Sequence, residues 1–282
     1  MKKYYLIGLS FFMLLSVKAQ HPLQVMTYNI RLNAASDSLN AWPYRKDKLA
    51  SQVLFYEANI LGVQEALHEQ MVDLQQRLPK YKYVGVGRED GKEKGEYSAI
   101  FYDTTRLQVL QTQTFWLSLT PTVPGSKSWD AAITRIVTWA KFKDKLTKKI
   151  FFAFNTHFDH LGKEARKQSA LLLLQKIKAI AGNAPAIITG DYNSHPSDEP
   201  IQVITDKSNP LHLTDSKEIS LTPHYGPTGT FNGFGNREVN DDPIDYVFIK
   251  GPWKVLKHAS LSQTWKGRFA SDHFSVLATV KL

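Results

Sequence analysis

Short apolar runs that end or begin in polar clusters recur along the chain. Ile187-Ile188-Thr189 leads into Gly190-Asp191-Tyr192-Asn193, and Ser271-Asp272-His273-Phe274 opens into Val276-Leu277-Ala278-Thr279-Val280. Runs of apolar and β-branched residues of this length predict buried strands. Residues 23–31 alternate and predict a first strand with Asn29 near its end, and residues 59–65 predict another that ends on an acid, Glu65. Further strands are predicted over 81–87, 97–102, 133–142, 150–154, 244–249 and 253–260, with a brief element at 211–216. Leu49, Val53 and Tyr56 recur at helical spacing, as do Leu67, Met71, Leu74 and Leu78 before Pro79. The clearest helix is 163–181: Ala170, Leu174, Ile177 and Ala181 form one stripe, widened by Leu171 and Leu173 and closed by Gly182-Asn183. His195-Pro196 starts a turn-rich loop into a short helix, and residues 143–149 read as a hairpin turn. The Gly- and charge-rich stretch 88–96 reads as a loop, and the Pro- and Gly-bearing stretches 118–132 and 222–242 read as loops that border a site. There is no internal repeat, low-complexity tract or linker, so residues 20–282 read as one domain.

Composition narrows the chemistry. A chain of 282 residues with 43% hydrophobic and 22% charged residues has material for a sizeable core. The absence of Cys excludes disulfides, thiolate zinc sites, a cysteine nucleophile and a lipidated-cysteine anchor. Lys2-Lys3, the apolar stretch 4–17 and Val17-Lys18-Ala19 have the form of a signal peptide over residues 1–19, which implies a secreted or periplasmic protein that is not a lipoprotein. Removing that stretch takes away Lys2, Lys3 and Lys18 and no acid, so the formal net charge falls from +9 to +6. That charge permits a polyanionic partner without requiring one.

Asn29, Glu65, His157, Asp191, Asn193, Asp245, Asp272 and His273 all fall at or beside predicted strand ends, where residues from different segments can meet on one edge of a sheet core. A cluster holding Glu65, Asp191, Asp245 and Asp272 would repel itself without a cation. Oxygen ligands in a chain without Cys point to Mg²⁺ or Mn²⁺ rather than zinc. Asp191 offers a base, Asn193 an amide donor, and Asp272-His273 a carboxylate beside an imidazole. This set suits hydrolysis of a phosphate ester on a metal ion.

The segments MTYNIR, VQE, NTHFDH, GDYN, IDYVF and SDHF, in this order, resemble the endonuclease/exonuclease/phosphatase superfamily over residues 25–280. The resemblance implies an α/β fold, a four-layer sandwich of two mixed β-sheets packed face to face with helices outside. It implies a Mg²⁺-dependent phosphoric ester hydrolase in which Glu65, Asn29 and Asp272 serve the metal. Asp191 would activate the attacking water, Asn193 would support it and touch phosphate, and Asp245 would orient His273 against the phosphoryl group. His157 falls where the family places a phosphate contact. Abasic-site enzymes carry an acid two residues after the first-strand Asn, where this chain has Arg31. Arg135 reads as an additional phosphate contact or as a structural ion pair. The substrate is a phosphate ester of a nucleic acid, a phospholipid or a small phosphorylated metabolite. The reading most like the motifs is a secreted nuclease-family hydrolase, beside sphingomyelinase-like, inositol-phosphate or sugar-phosphate hydrolases and an inactive binding protein on the same fold. A monomer without an obligate protein partner is expected.

Overall fold

The computed structural model describes residues 21–235 and 242–282. The signal-peptide reading of residues 1–19 and residues 236–241 of the 222–242 loop lie outside the described residues. In chain order the elements are β1 (Leu23–Asn29), α1 (Lys46–Phe55), β2 (Ile60–Ala66), α2 (His68–Arg77), β3 (Tyr81–Val84), β4 (Tyr97–Asp103), β5 (Leu107–Trp116), β6 (Ile136–Asp144), β7 (Ile150–His157), α3 (Lys163–Ala181), β8 (Ala186–Asp191), α4 (Glu199–Thr205), β9 (Thr214–Asp215), β10 (Asp245–Lys250), β11 (Lys254–Leu261) and β12 (Ser275–Lys281). None of the described helices is long and apolar enough to cross a membrane.

The strands form two six-stranded sheets, ordered β11-β12-β1-β2-β4-β3 and β5-β6-β7-β8-β10-β9. Both are mixed: β1 with β2 and β7 with β8 are parallel pairs, flanked by antiparallel ones. Strand alternation divides the apolar residues between layers. Along β1, Leu23 and Val25 enter the core between the sheets, where they join Ile60, Phe142, Phe151, Val247 and Val276. Met26 and Tyr28 face outward into a layer with Leu49, Val53, Met71 and Leu74 of α1 and α2. The second sheet is covered by α3, whose Ala170, Leu173, Leu174 and Ile177 pack on Val137, Phe154 and Ile188. The expected sandwich with helices outside is the observed architecture.

Most predicted elements stand within a few residues of their predicted bounds, and α3 occupies its predicted span. The strand predicted over 81–87 stops at Val84, and the one predicted at Asp272-His273 begins at Ser275. The ten-residue strand β5 has no counterpart in the predicted elements. It lies at a sheet edge and, among the described residues, pairs only with β6. Gln108, Gln111, Thr112 and Gln113 face solvent, so the apolar periodicity that reveals a strand is not required there.

A buried polar seam ties the two sheets together beneath their shared edge. Asn155 of β7 donates through Nδ2 to the carbonyls of Val63 (2.8 Å) and Ala99 (2.9 Å) on the other sheet. Its Oδ1 accepts from Gln64 Nε2 (2.7 Å) and Thr189 Oγ1 (2.9 Å). A network of this kind fixes how the sheets align, because a slip would strand several buried groups. Gly62 is where the seam demands close approach: a Cβ there would lie 2.2 Å from Thr189 Oγ1 and 2.5 Å from Asn155 Oδ1. Gly62→Ala is expected to lower stability by about 2–4 kcal/mol through overpacking and a broken seam. An unchanged urea midpoint would remove the seam from the account of sheet alignment.

Candidate active site

Topology collects the polar strand ends. Because of the pairing directions, the C-terminal ends of β1, β2, β7 and β8 and the N-terminal ends of β4, β6, β10 and β12 arrive at one edge. Asn29, His157 and Asp191 are the last residues of β1, β7 and β8, and Asp245 is the first of β10. Glu65 sits in a bulge, where the register of β2 against β4 jumps from Val63–Ala99 to Ala66–Tyr97. Its φ of 62°, with 57° at Arg31 and 46° at Asn193, puts three non-glycine residues of this edge in the left-handed region. Such backbone is held at a cost of order 1–3 kcal/mol each and re-aims side chains, here toward the cleft.

Asp191 is the hub. Asn29 Nδ2 donates to Asp191 Oδ2 and to Glu65 Oε1, each at 2.9 Å. The Asn193 backbone N–H donates to Asp191 Oδ1 (2.9 Å). His157 Nε2 stands 3.4 Å and His273 Nε2 3.8 Å from Asp191 Oδ2. His273 Nδ1 donates to Asp245 Oδ2 (2.9 Å), which also accepts from Thr230 Oγ1 (2.6 Å). Asp272 is next to His273 in sequence, yet the imidazole bonds Asp245 instead. Asn193 Nδ2 lies 3.0 Å from the Phe158 carbonyl, which can only accept, so the same nitrogen donates to His157 Nε2 at 3.0 Å. His157 then carries its proton on Nδ1, which has no partner among the described residues.

These contacts set opposite protonation states for the two imidazoles. Burial lowers the pKa of His157 well below its ordinary value, aided by the nearby Arg135 charge, so it is neutral. For His273, burial also opposes the charged form, but the Asp245 carboxylate, with Asp191 and Asp272 behind it, outweighs burial and raises the pKa well above the ordinary value. His273 therefore presents a charged Nε2–H to the cleft. Burial, reinforced by the Asp245 charge, raises Asp191 to about 7. Burial likewise raises Asp272.

The raised Asp191 carboxyl has a consequence for stability. Its folded pKa exceeds its unfolded value, so the folded state binds the extra proton between about pH 4 and 7, and stability falls as pH rises through that window. Asp191→Asn removes this penalty. Without divalent ions it is expected to melt above the wild type at pH 8, by on the order of 1–4 kcal/mol, and to lose that advantage at pH 5. Equal melting temperatures at pH 8 would show that Asp191 ionises without strain.

The cluster forms the floor of a cleft of about 420 Å³ that also exposes Arg31, Glu96, Arg135, His160, Phe231 and Asp272. Arg31 grips Asp37 through Nε (3.0 Å) and Nη2 (3.1 Å) and stands 3.8 Å from Asp272 Oδ2. Arg135, just before β6, is two strands from Asp191, roughly 10 Å at the usual strand spacing. The structure thus brings Asn29, Glu65, His157, Asp191 and Asn193 into one hydrogen-bonded group, with the bonded Asp245–His273 pair 3.8 Å from Asp191, Asp272 beside it and Arg135 further along. Sequence reasoning missed Thr230, Ser271, Arg45 and Glu96. Ser271 Oγ donates to the Asn29 carbonyl (2.7 Å). Buried Arg45 donates to the carbonyls of Ile30 (2.7 Å), Ala270 (2.9 Å) and Arg31 (3.1 Å), which fixes the segments that carry Asn29 and Asp272. Arg45 is followed by Lys46-Asp47-Lys48, so nothing in the sequence distinguishes it from a run of surface charges.

Comparison with known proteins agrees with this geometry. Residues 26–273 match the Endonuclease/Exonuclease/phosphatase family. An uncharacterized protein of Acanthamoeba polyphaga mimivirus is 30% identical over 230 residues, which are 75% of this chain and 81% of that protein. The crystal structure of an endonuclease/exonuclease/phosphatase from Bacteroides vulgatus superposes with a TM-score of 0.88 and 41% identity, covering 93% of this chain and all of that one (100%). A mannosyl-6-phosphatase from Bacteroides thetaiotaomicron superposes with a TM-score of 0.88 and 38% identity over 92% of this chain and 100% of that one. With its two mixed sheets and the polar cluster at their shared edge, this chain belongs to the endonuclease/exonuclease/phosphatase family of phosphoester hydrolases.

Proposed function

We propose that the chain is a divalent-metal-dependent phosphomonoesterase that releases phosphate from a phosphorylated sugar. The observation that carries the reading is buried Asp191, shared between the Asn29–Glu65 pair on one side and the Asp245–His273 pair on the other. A carboxylate next to a charged imidazole and a second acidic group is equipped to activate water against a phosphoryl group.

The donor set fits a hard cation. Glu65 and Asp272 supply carboxylate oxygens at the cleft, and buried acids gathered at one edge call for positive charge. The buried group Asp191, Asp245 and His273 also has ligand atoms within 4.8 Å of one another. There, however, His273 Nδ1 and Asp245 Oδ2 are committed to each other, so that group serves as a hydrogen-bonded relay and the ion belongs with Glu65 and Asp272. When bound, the ion would offset the negative charge of the phosphoryl oxygens. Asn29 holds the Glu65 carboxylate in place. Asp191 takes the proton of the attacking water as its oxygen bonds to phosphorus. His273 Nε2–H donates to the phosphoryl oxygen that gains charge, while Asn193 and His157 hold each other beside Asp191. The P–O bond to the sugar breaks, and the departing alkoxide takes a proton from solvent.

The similarity to a mannosyl-6-phosphatase and a cleft of about 420 Å³, at the scale of a small-molecule pocket, favour a sugar phosphate over a polymer. The test is release of inorganic phosphate from mannose 6-phosphate with Mg²⁺, run beside nicking of supercoiled plasmid. Phosphate release without nicking supports the reading. Nicking without phosphate release would return the site to a nuclease.

A further inference from the structure

We infer that the far end of the cleft, where Arg135 and Glu96 face each other, is a subsite for the hydroxyl groups of the leaving sugar. This rests on the phosphomonoesterase reading and adds the residues that would choose the alcohol.

Position separates the subsite from the chemistry. Arg135 precedes β6, two strands from β8, and Glu96 precedes β4, two strands from β1. The backbone of each therefore stands roughly 10 Å along its sheet from the Asp191 and Asn29 pair. The two come together because β4 packs on β6 across the sandwich, and both line the cleft.

Arg135 holds unused donors. It is 5% exposed, yet neither Nε nor Nη1 makes a hydrogen bond among the described residues. Nη2 meets His160 Nδ1 at 3.2 Å, and Asp159 Oδ2 stands 3.7 Å from Nε, too far for a hydrogen bond. Buried guanidinium N–H groups without acceptors are costly unless a ligand or water completes them. Charge decides which ligand. Arg88 donates through Nη1 to Glu96 Oε2 (2.7 Å), and Asp159 lies beside Arg135, so two guanidinium groups are matched by two carboxylates. No surplus charge remains to recruit a second phosphate or a carboxylate. A hydroxyl suits the pair because it accepts from Arg135 and donates to Glu96, and adjacent sugar hydroxyls can do both at once.

The test compares mannose 6-phosphate with ethyl phosphate, which lacks hydroxyls, in the wild type, Glu96→Gln and Arg135→Met. The wild type is expected to favour the sugar ester in kcat/KM, and each variant to lower that preference by about 30-fold or more, as for a site built to bond a substrate hydroxyl. A preference unchanged in folded Glu96→Gln, or no preference in a wild type that hydrolyses both esters, overturns the subsite and leaves the phosphomonoesterase reading standing. A wild type that hydrolyses neither ester overturns that reading and the subsite with it. Glu96→Gln keeps the shape of the side chain, so the outcome does not hang on whether Arg135→Met folds.

Discussion

Asp191→Ala is expected to lower turnover of a phosphorylated sugar by about 10³-fold, and His273→Ala by about 10²–10³-fold. Asp191 is the carboxylate that touches both halves of the site, through Asn29 at 2.9 Å and His273 at 3.8 Å. Its loss removes the proton acceptor and one of the charges that keep His273 protonated. The two losses therefore overlap, and the double variant is expected to be only slightly worse than Asp191→Ala alone, as for residues that act as a unit. Turnover under saturating sugar phosphate, with circular dichroism to confirm folding, reads both effects. Near-wild-type turnover in a folded Asp191→Ala protein would remove it from the chemistry, and full multiplication of the two losses would show that the groups act independently.

Exhaustive chelation is expected to reduce turnover by about 10³-fold, with recovery on added Mg²⁺ or Mn²⁺. A bound ion supplies several kcal/mol of charge stabilisation in phosphoryl transfer, and about 1.4 kcal/mol is worth tenfold in rate. Glu65 anchors the effect, because its bulged, left-handed backbone turns the carboxylate to the Asn29 amide at the cleft. Glu65→Gln should shift the metal needed for half-maximal turnover upward by tenfold or more. It should also lose the rise in melting temperature that metal gives the wild type, since an ion that binds only the folded state stabilises it. Full turnover after chelation would sink the metal role, whereas an unchanged metal response in Glu65→Gln would move the ion to other ligands.

Sequence and tertiary structure divide the account of this protein by distance along the chain. Periodicity placed α3 over residues 163–181 and the strands that end on Asn29, Glu65 and Asp191, because helix and strand repeats are local and record which face is buried. The ordered motifs around those ends also identified most of the residues that meet in the cleft. The same reasoning could not see β5, since a polar edge strand paired on one side needs no apolar alternation. Local spacing sets only Asp272 beside His273, and it is the family resemblance that pairs His273 with Asp245, which stands 2.9 Å from it; nothing in the sequence shows that Arg135 stands two strands from Asp191 and faces Glu96. Those facts follow from strand order and from which sheet packs on which, and they depend on pairings between residues far apart in the chain. Adjacency in sequence, by contrast, fixes only which side of a strand a residue takes.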